Sequence, residues 1–395
     1  MEKYDAIVLG LGAAGSATLY QLAKRGARVL GIDQFDPPHT LGSTHGDTRI
    51  TRLAIGEGAH YTPLAVRSHE IWRELEAATG ANLLTTNGGL VIANAAGNWS
   101  LHGKSFFATT VAAARKHKLA HELLDSAALR RRFPQFNIGD GQSGYFEPSA
   151  GFVRPEACIA VQLTLAEALN ASVRRNEKAL HFEQDADGVT VATVAGRYRA
   201  GQLVVAAGPW LPQFLAATHA RHFKVYRQVL YWFDVAAQFE AFKPDKFPIF
   251  IWELPAGAGG IYGFPAIGGP HDGLKFATEQ YESTTTPEAV VRTVSPAEVA
   301  ETHRRFIAPY FPGISAECVR AAVCLYTVTA DFGFVVDRHP QFERVIVASP
   351  CSGHGFKHSA ALGEAVADLV RGEPSRFDLS AFGFARLEDQ VGRTS

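Results

Sequence analysis

The residues of this chain whose types and spacing suit chemistry fall into three groups. The first is the loop Gly10-Leu11-Gly12-Ala13-Ala14-Gly15, followed by Asp33. Gly10 permits a tight turn, Gly12 lets backbone come close to a pyrophosphate, and Gly15 lets a helix pack closely on a strand. A helix that starts there offers free N–H groups and the positive end of its dipole to phosphates. A carboxylate at position 33 suits ribose hydroxyls and disfavours a 2′-phosphate, which ranks FAD or NAD above NADP.

The second group is His45, Arg49 and Arg52, within Gly42-Ser43-Thr44-His45-Gly46-Asp47-Thr48-Arg49-Ile50-Thr51-Arg52. On a helix these three share one face. Potentially cationic groups in one stripe repel each other unless an anion sits against them. An electron-rich ring or a carboxylate would serve, and Arg grips a carboxylate through two N–H bonds. The plainer reading is a solvated helix face. The third group is single residues. Lys275 ends the glycine-rich run Gly268 to Lys275, and Lys357 follows Ser352-Gly353-His354-Gly355-Phe356. Cys324 lies in the apolar run Ala321 to Tyr326, where a cysteine is ordinarily inert packing.

These residues need elements to hold them. Tyr4 to Leu9 reads as a buried strand, Ser16 to Arg25 as a helix and Val29 to Ile32 as a second strand. That βαβ start predicts a parallel sheet with right-handed crossovers. Leu203 to Ala207 and Arg344 to Ala348 read as further buried parallel strands, and a helix is expected over Ser359 to Arg371. Residues from about 221 to 267 are rich in aromatics, punctuated by Gly/Pro turns, and alternate like antiparallel strands. Ala256 to Gly260 reads as a flexible turn. The expected fold is α/β with α+β: a discontinuous Rossmann-like dinucleotide-binding domain and an inserted, mainly antiparallel β-sheet domain, which the resemblance given below makes the FAD-binding and substrate domains. Residues 1–85, 150–220 and 325–385 are assigned to the first, 86–149 and 221–324 to the second.

Composition narrows the function. In 395 residues, Lys+Arg is 38 and Asp+Glu is 39, so bulk electrostatic capture of nucleic acid or anionic membrane is not expected. With 47% hydrophobic residues the chain can bury sizeable cores, yet no apolar run approaches a membrane span. The four cysteines form no CxxC pair, so neither a zinc ribbon nor a disulfide framework is expected, and no cluster has metal-ligand spacing. The first residues lack a signal-peptide pattern and the last lack a peroxisomal ending, which makes the cytoplasm the default location. Met1 is the only methionine, by compositional drift or by selection against thioether oxidation in a protein that makes peroxide.

The segment Phe35 to Arg52, Gly56-Glu57-Gly58 and Tyr61-Thr62-Pro63-Leu64 resembles the monomeric sarcosine oxidase family, to which N-methyltryptophan oxidase belongs. The likeness continues through Tyr226-Arg227-Gln228, Tyr262-Gly263-Phe264-Pro265, Gly273-Leu274-Lys275, Ala322-Val323-Cys324-Leu325-Tyr326-Thr327 and Ser352-Gly353-His354-Gly355-Phe356-Lys357. It spans nearly the whole chain. The resemblance implies FAD, attached covalently through Cys324 at the flavin 8α-methyl carbon. It implies cofactor contacts from Gly10, Gly12, Gly15, Asp33, Ser43, Thr48, Gly353, His354, Gly355 and Lys357. Lys275 is implied as the oxygen-activating residue, with Arg49 and His45 flanking the ring. Arg52 and Lys357 are implied to hold a substrate carboxylate, with Tyr262 and Tyr326 lining the pocket. Cys351, where the family has another residue, is read as packing. The implied reaction is oxidation of a secondary amine, of the N-methyl amino acid type, by O2 to an imine, which water hydrolyses, with release of hydrogen peroxide. The implied assembly is a monomer.

One position departs from the pattern. Four residues after Lys275 the family carries a histidine, and this chain has Glu279. A carboxylate there favours a substrate cation and points to a bulkier or more basic amino-acid-like amine than sarcosine. The rival readings are a relative acting on cyclic or glycated amines, a nicotinamide-dependent dehydrogenase, and a non-catalytic flavin-fold binding protein.

Overall fold

The computed structural model describes residues 3–94, 100–101, 104–254 and 259–391. Met1 and most of the expected turn at Ala256 to Gly260 lie outside the described residues. The strand Lys3–Leu9 runs parallel to Val29–Ile32 on one side and to Arg197–Val205 on the other. Ser172–Arg174 extends the parallel set beyond Val29–Ile32, and Phe342–Ser349 extends it beyond Leu203 to Val205. Near-continuous apolar runs are what a sheet covered on both faces requires. The first half of Arg197–Val205 also pairs with an antiparallel ribbon, Ala179–Asp185 and Gly188–Thr193. The helix Ala13–Lys24 packs between Pro155–Ala168 and Ser359–Arg371. Gly363 permits the second contact, because a Cβ there would stand 2.5 Å from Ala17.

A nine-stranded sheet, almost wholly antiparallel, forms the other half. Its long strand Lys224–Phe233, next to one edge, pairs with the edge strand Cys318–Val328 on one side and Leu274–Thr278 on the other. Alternation divides their side chains between two faces. Tyr231, Phe233, Leu274 and Phe276 enter an aromatic core with Phe250, Trp252 and Phe311. Leu230, Trp232, Ala277 and Cys324 turn to the opposite face. The boundary expected between residues 324 and 325 falls inside Cys318–Val328. That strand pairs with Lys224–Phe233 along nearly its whole length, so it is not divided there.

A three-stranded antiparallel sheet of Arg49–Thr51, Gly151–Val153 and Leu84–Thr86 is separate from both. It corrects the helical reading of positions 45–52. The segment before Arg49 is irregular and Arg49–Thr51 is a strand, because its backbone pairs with Gly151–Val153. His45, Arg49 and Arg52 therefore do not form one stripe. Among the described residues, no helix is long and apolar enough to cross a membrane, and no cluster of side chains could hold a metal ion.

Candidate active site

The glycine loop is built as its spacing requires. Gly10 has φ +85°, and a Cβ there would lie 2.6 Å from the Ala206 carbonyl oxygen. At Gly15 a Cβ would fall 1.7 Å from Gly10 O. Gly12 differs: its nearest neighbour would be Thr44 Oγ1 at 3.8 Å, so its bare backbone faces open space. The helix that starts at Ala13 has no side-chain cap on its first N–H groups. Asp33 braces this loop, its Oδ2 accepting from Leu11 N at 2.7 Å and its Oδ1 from Phe35 N at 2.9 Å.

An elongated cleft of about 1320 Å³ runs from the Asp33 end to Tyr326, and Gly12, Gly353 and Gly355 line it. Ser43 Oγ is buried on its wall with no hydrogen-bond partner among the described residues, and Thr327, beside Cys351, lies on the same wall. His45 Nε2 is unpartnered like Ser43 Oγ. Open glycine backbone, uncapped helix N–H groups and an unsatisfied hydroxyl fit a dinucleotide with a polar ring system. A second cleft, of about 1250 Å³, meets the first at Arg49, Tyr326, Gly353 and Phe356.

Arg49 stands at that junction, and Cys324, Lys275 and His45 lie around it without lining either cleft. Arg49 donates to Thr48 O and Ser43 O at 2.9 Å each and approaches Cys324 Sγ at 3.6 Å. Cys324 is fully buried, 3.3 Å from Ser43 O, and burial pushes its thiol pKa up. Cys351, set aside from the sequence, does line the first cleft. Lys275 is buried too. Its Nζ donates to Gly46 O and Thr48 O at 2.7 Å each and stands 4.0 Å over the Phe264 ring. Burial, then Arg49, push its pKa well down. His45 is driven down to about 3 by burial, Arg49 and Lys275, so it is neutral at pH 7 and adds no third cation.

Across the second cleft lie Arg52, Glu57, Tyr262, Glu279, Tyr281 and Lys357. Arg52 pairs with Glu57 at 2.7 Å and lies 4.8 Å over the Phe106 ring. Lys357 Nζ is 3.7 Å from Glu57 and donates to His354 O at 2.8 Å; burial lowers its pKa to about 8. The His354 ring turns away from the first cleft, its Nε2 sitting 2.9 Å from Phe332 O. The Tyr262 and Tyr326 hydroxyls are 3.0 Å apart, and burial raises both pKa values, so both stay protonated. Glu279 Oε2 accepts from Tyr281 OH at 2.8 Å.

The family described as FAD dependent oxidoreductase matches residues 5–369. The chain belongs to that family. It is 39% identical over 385 residues to a monomeric sarcosine oxidase of Streptomyces avermitilis, covering 97% of this chain and 98% of that protein. It is 33% identical over 386 residues to an N-methyl-L-tryptophan oxidase of Salmonella dublin, covering 98% and 99%. Among solved structures, NikD, an unusual amino acid oxidase essential for nikkomycin biosynthesis, superposes with TM-score 0.81 at 25% identity, covering 97% of this chain and 98% of that one.

The open backbone at Gly12 and the uncapped helix start at Ala13 fit the cofactor that this FAD-dependent oxidoreductase family uses. FAD, when bound, supplies the acceptor for two electrons and a hydrogen. Three carboxylate or aromatic contributors escaped the sequence reading. Glu57 joins Arg52 to Lys357, Tyr281 joins Glu279, and Glu156 holds the turn at Gly46. Glu156 alone had a local signal, an acid beside a proline at a helix start, but its partner lies 110 residues away.

Proposed function

We propose that this oxidase acts on secondary amines that carry a carboxylate, of the N-methyl amino acid type. The overall reaction is R–NH–CH3 + O2 + H2O → R–NH2 + HCHO + H2O2. The observation that carries this reading is the junction of the two clefts, with Arg49 and Tyr326 in both walls and the Arg52–Glu57–Lys357 group in the second. Arg52 and Lys357 bind the substrate carboxylate and so fix which N–CH bond faces the cofactor. The protonated Tyr262–Tyr326 pair leaves the amine without a nearby phenolate, and the apolar walls Ile251, Ile261 and Phe264 limit water around it. The amine reacts as its free base, since its lone pair drives the oxidation. Lys275, with Arg49 beside it, places positive charge where O2 gains its electrons.

Cys324 is the proposed attachment point. Its Sγ would hold the cofactor by a C–S bond in place of its S–H and one C–H of the 8α-methyl group, with the two protons and two electrons released reaching O2 to give hydrogen peroxide. Arg49, at 3.6 Å, favours the thiolate that this requires. The chain works as a monomer on this reading. Its FAD-binding part comprises residues 1–85, 150–220 and 325–385 apart from the strand noted above.

Glu279 favours a substrate larger or more basic than sarcosine, because a carboxylate facing the second cleft attracts a second cationic group. Anaerobic titration with sarcosine, longer N-methyl amino acids and N-methyl diamino acids tests the function. Bleaching of the flavin by at least one is expected, and bleaching by none would refute it. A basic substrate preferred by wild type and lost in Glu279→His is the expected specificity result. Acid precipitation of wild type, Cys324→Ala and Cys351→Ala shows which thiol keeps the colour with the polypeptide; Cys324→Ala alone should release it.

A further inference from the structure

The turn that holds Lys275 has its own support. Glu156 lies in the first turn of the helix Pro155–Ala168. Its Oε1 accepts the backbone N–H of Gly46 at 2.5 Å and of Asp47 at 3.2 Å. Gly46 and Asp47 have φ of +97° and +69°, a left-handed pair that needs external bonds once a non-glycine takes part. Gly46 O and Thr48 O, on the same turn, are the two acceptors of Lys275 Nζ. One carboxylate thus fixes the N–H side of a turn whose C=O side fixes the ammonium.

The charges around Lys275 sharpen this role. Arg49 faces it from the strand Arg49–Thr51, His45 and Asp47 come from the preceding loop, and Cys324 comes from Cys318–Val328. Arg320, from that same strand, pairs with Asp47 and lies 3.7 Å over the Trp232 ring, which Lys275 faces at 5.6 Å. Arg49 opposes the Lys275 charge, whereas Glu156 supports it. We propose that Glu156 is a positioning residue for Lys275: it shapes the Gly46–Thr48 turn and is the counter-charge that keeps the ammonium protonated where O2 is reduced. The inference rests on the assignment of Lys275 to oxygen activation.

The test compares Glu156→Gln, which keeps an acceptor but loses charge, with Glu156→Ala and Lys275→Met, all as holoenzymes. The rate constant for reoxidation of reduced enzyme by O2 is measured against pH. In wild type it should fall as pH rises through the lowered Lys275 pKa and the ammonium loses its proton. In Glu156→Gln the fall should move to lower pH, with a roughly 3- to 10-fold deficit near the wild-type transition from removal of one nearby counter-charge. Hydrogen exchange at the Gly46 and Asp47 amides gives a readout independent of turnover. It should quicken in Glu156→Ala and stay slow in Glu156→Gln. An unmoved pH profile in Glu156→Gln, with Lys275→Met impaired, would overturn the inference and leave the assignment of Lys275 standing. Wild-type reoxidation in Lys275→Met would overturn that assignment itself.

Discussion

At its glycine loop the first cleft is bounded by bare backbone, at Gly10, Gly12 and the uncapped end of the helix Ala13–Lys24, whereas the charged part of the second is built from side chains. Arg52, Glu57, Tyr262, Glu279 and Lys357 come from widely separated parts of the chain and meet only because the sheets bring them together. A backbone site tolerates little change in local geometry but is indifferent to most side chains. A site made of side chains holds its geometry from elsewhere and responds to each substitution separately.

Glycine substitutions test the backbone half most severely. Gly15→Ala puts a Cβ 1.7 Å from Gly10 O and should cost about 3 kcal/mol or more of stability, seen as a large fall in Tm or loss of soluble protein. Gly12→Ala meets nothing closer than 3.8 Å, so its apo-protein Tm should match wild type while FAD affinity falls. If both behave alike, the division between framework and ligand-facing glycines is wrong. Lys275→Met should come next, lowering the O2 rate constant by about 10²–10³-fold while anaerobic reduction by substrate persists. Arg52→Met should raise KM by about 10- to 100-fold through loss of a charge-assisted contact.

A pH series separates Lys357 from Arg52 without a substitution. The Lys357 pKa is lowered to about 8, so the charge is present below that value and lost as pH rises through it. Affinity for acetate, a carboxylate with no amine to titrate, should therefore weaken above about pH 8; constant affinity from pH 7 to pH 10 would remove Lys357 from the carboxylate site. The smallest effect is expected from Tyr262→Phe. Losing its hydroxyl contact with Tyr326 should cost about 1 kcal/mol of stability, seen as a small fall in Tm, with a several-fold fall in kcat/KM.

The same contrast decides what could be read in advance. The glycine loop, its flanking strands and the helix Ser359–Arg371 are set by local spacing, and the structure has them at or within a few residues of the expected places. Positions 45–52 misled because the cationic spacing fits a helix, whereas the backbone of Arg49–Thr51 is claimed by Gly151–Val153, a hundred residues on. His45 looked cationic because sequence carries no measure of burial, and burial is the first cause of its neutrality. Lys275 and Cys324 were marked by family likeness, not by their own neighbours. Their shared face of the nine-stranded sheet follows from alternation only once the register with Lys224–Phe233 is known. The roles of Glu57 and Glu156 could not be read in advance for a related reason: each acts on groups that the chain brings back from far away or from an irregular loop.

Glu57 sits between Arg52 and Lys357, so on the proposed reading an arriving carboxylate would take part in an exchange. The guanidinium and ammonium contacts to an internal acid would give way to contacts with an external one, and the net affinity would be the difference between two similar pairings. Such a site discriminates by geometry and charge type more than by strength. A neutral amide in place of the carboxylate has nothing to trade for the bonds Glu57 already makes, while added salt, which acts on both sides of the exchange, shifts the balance little.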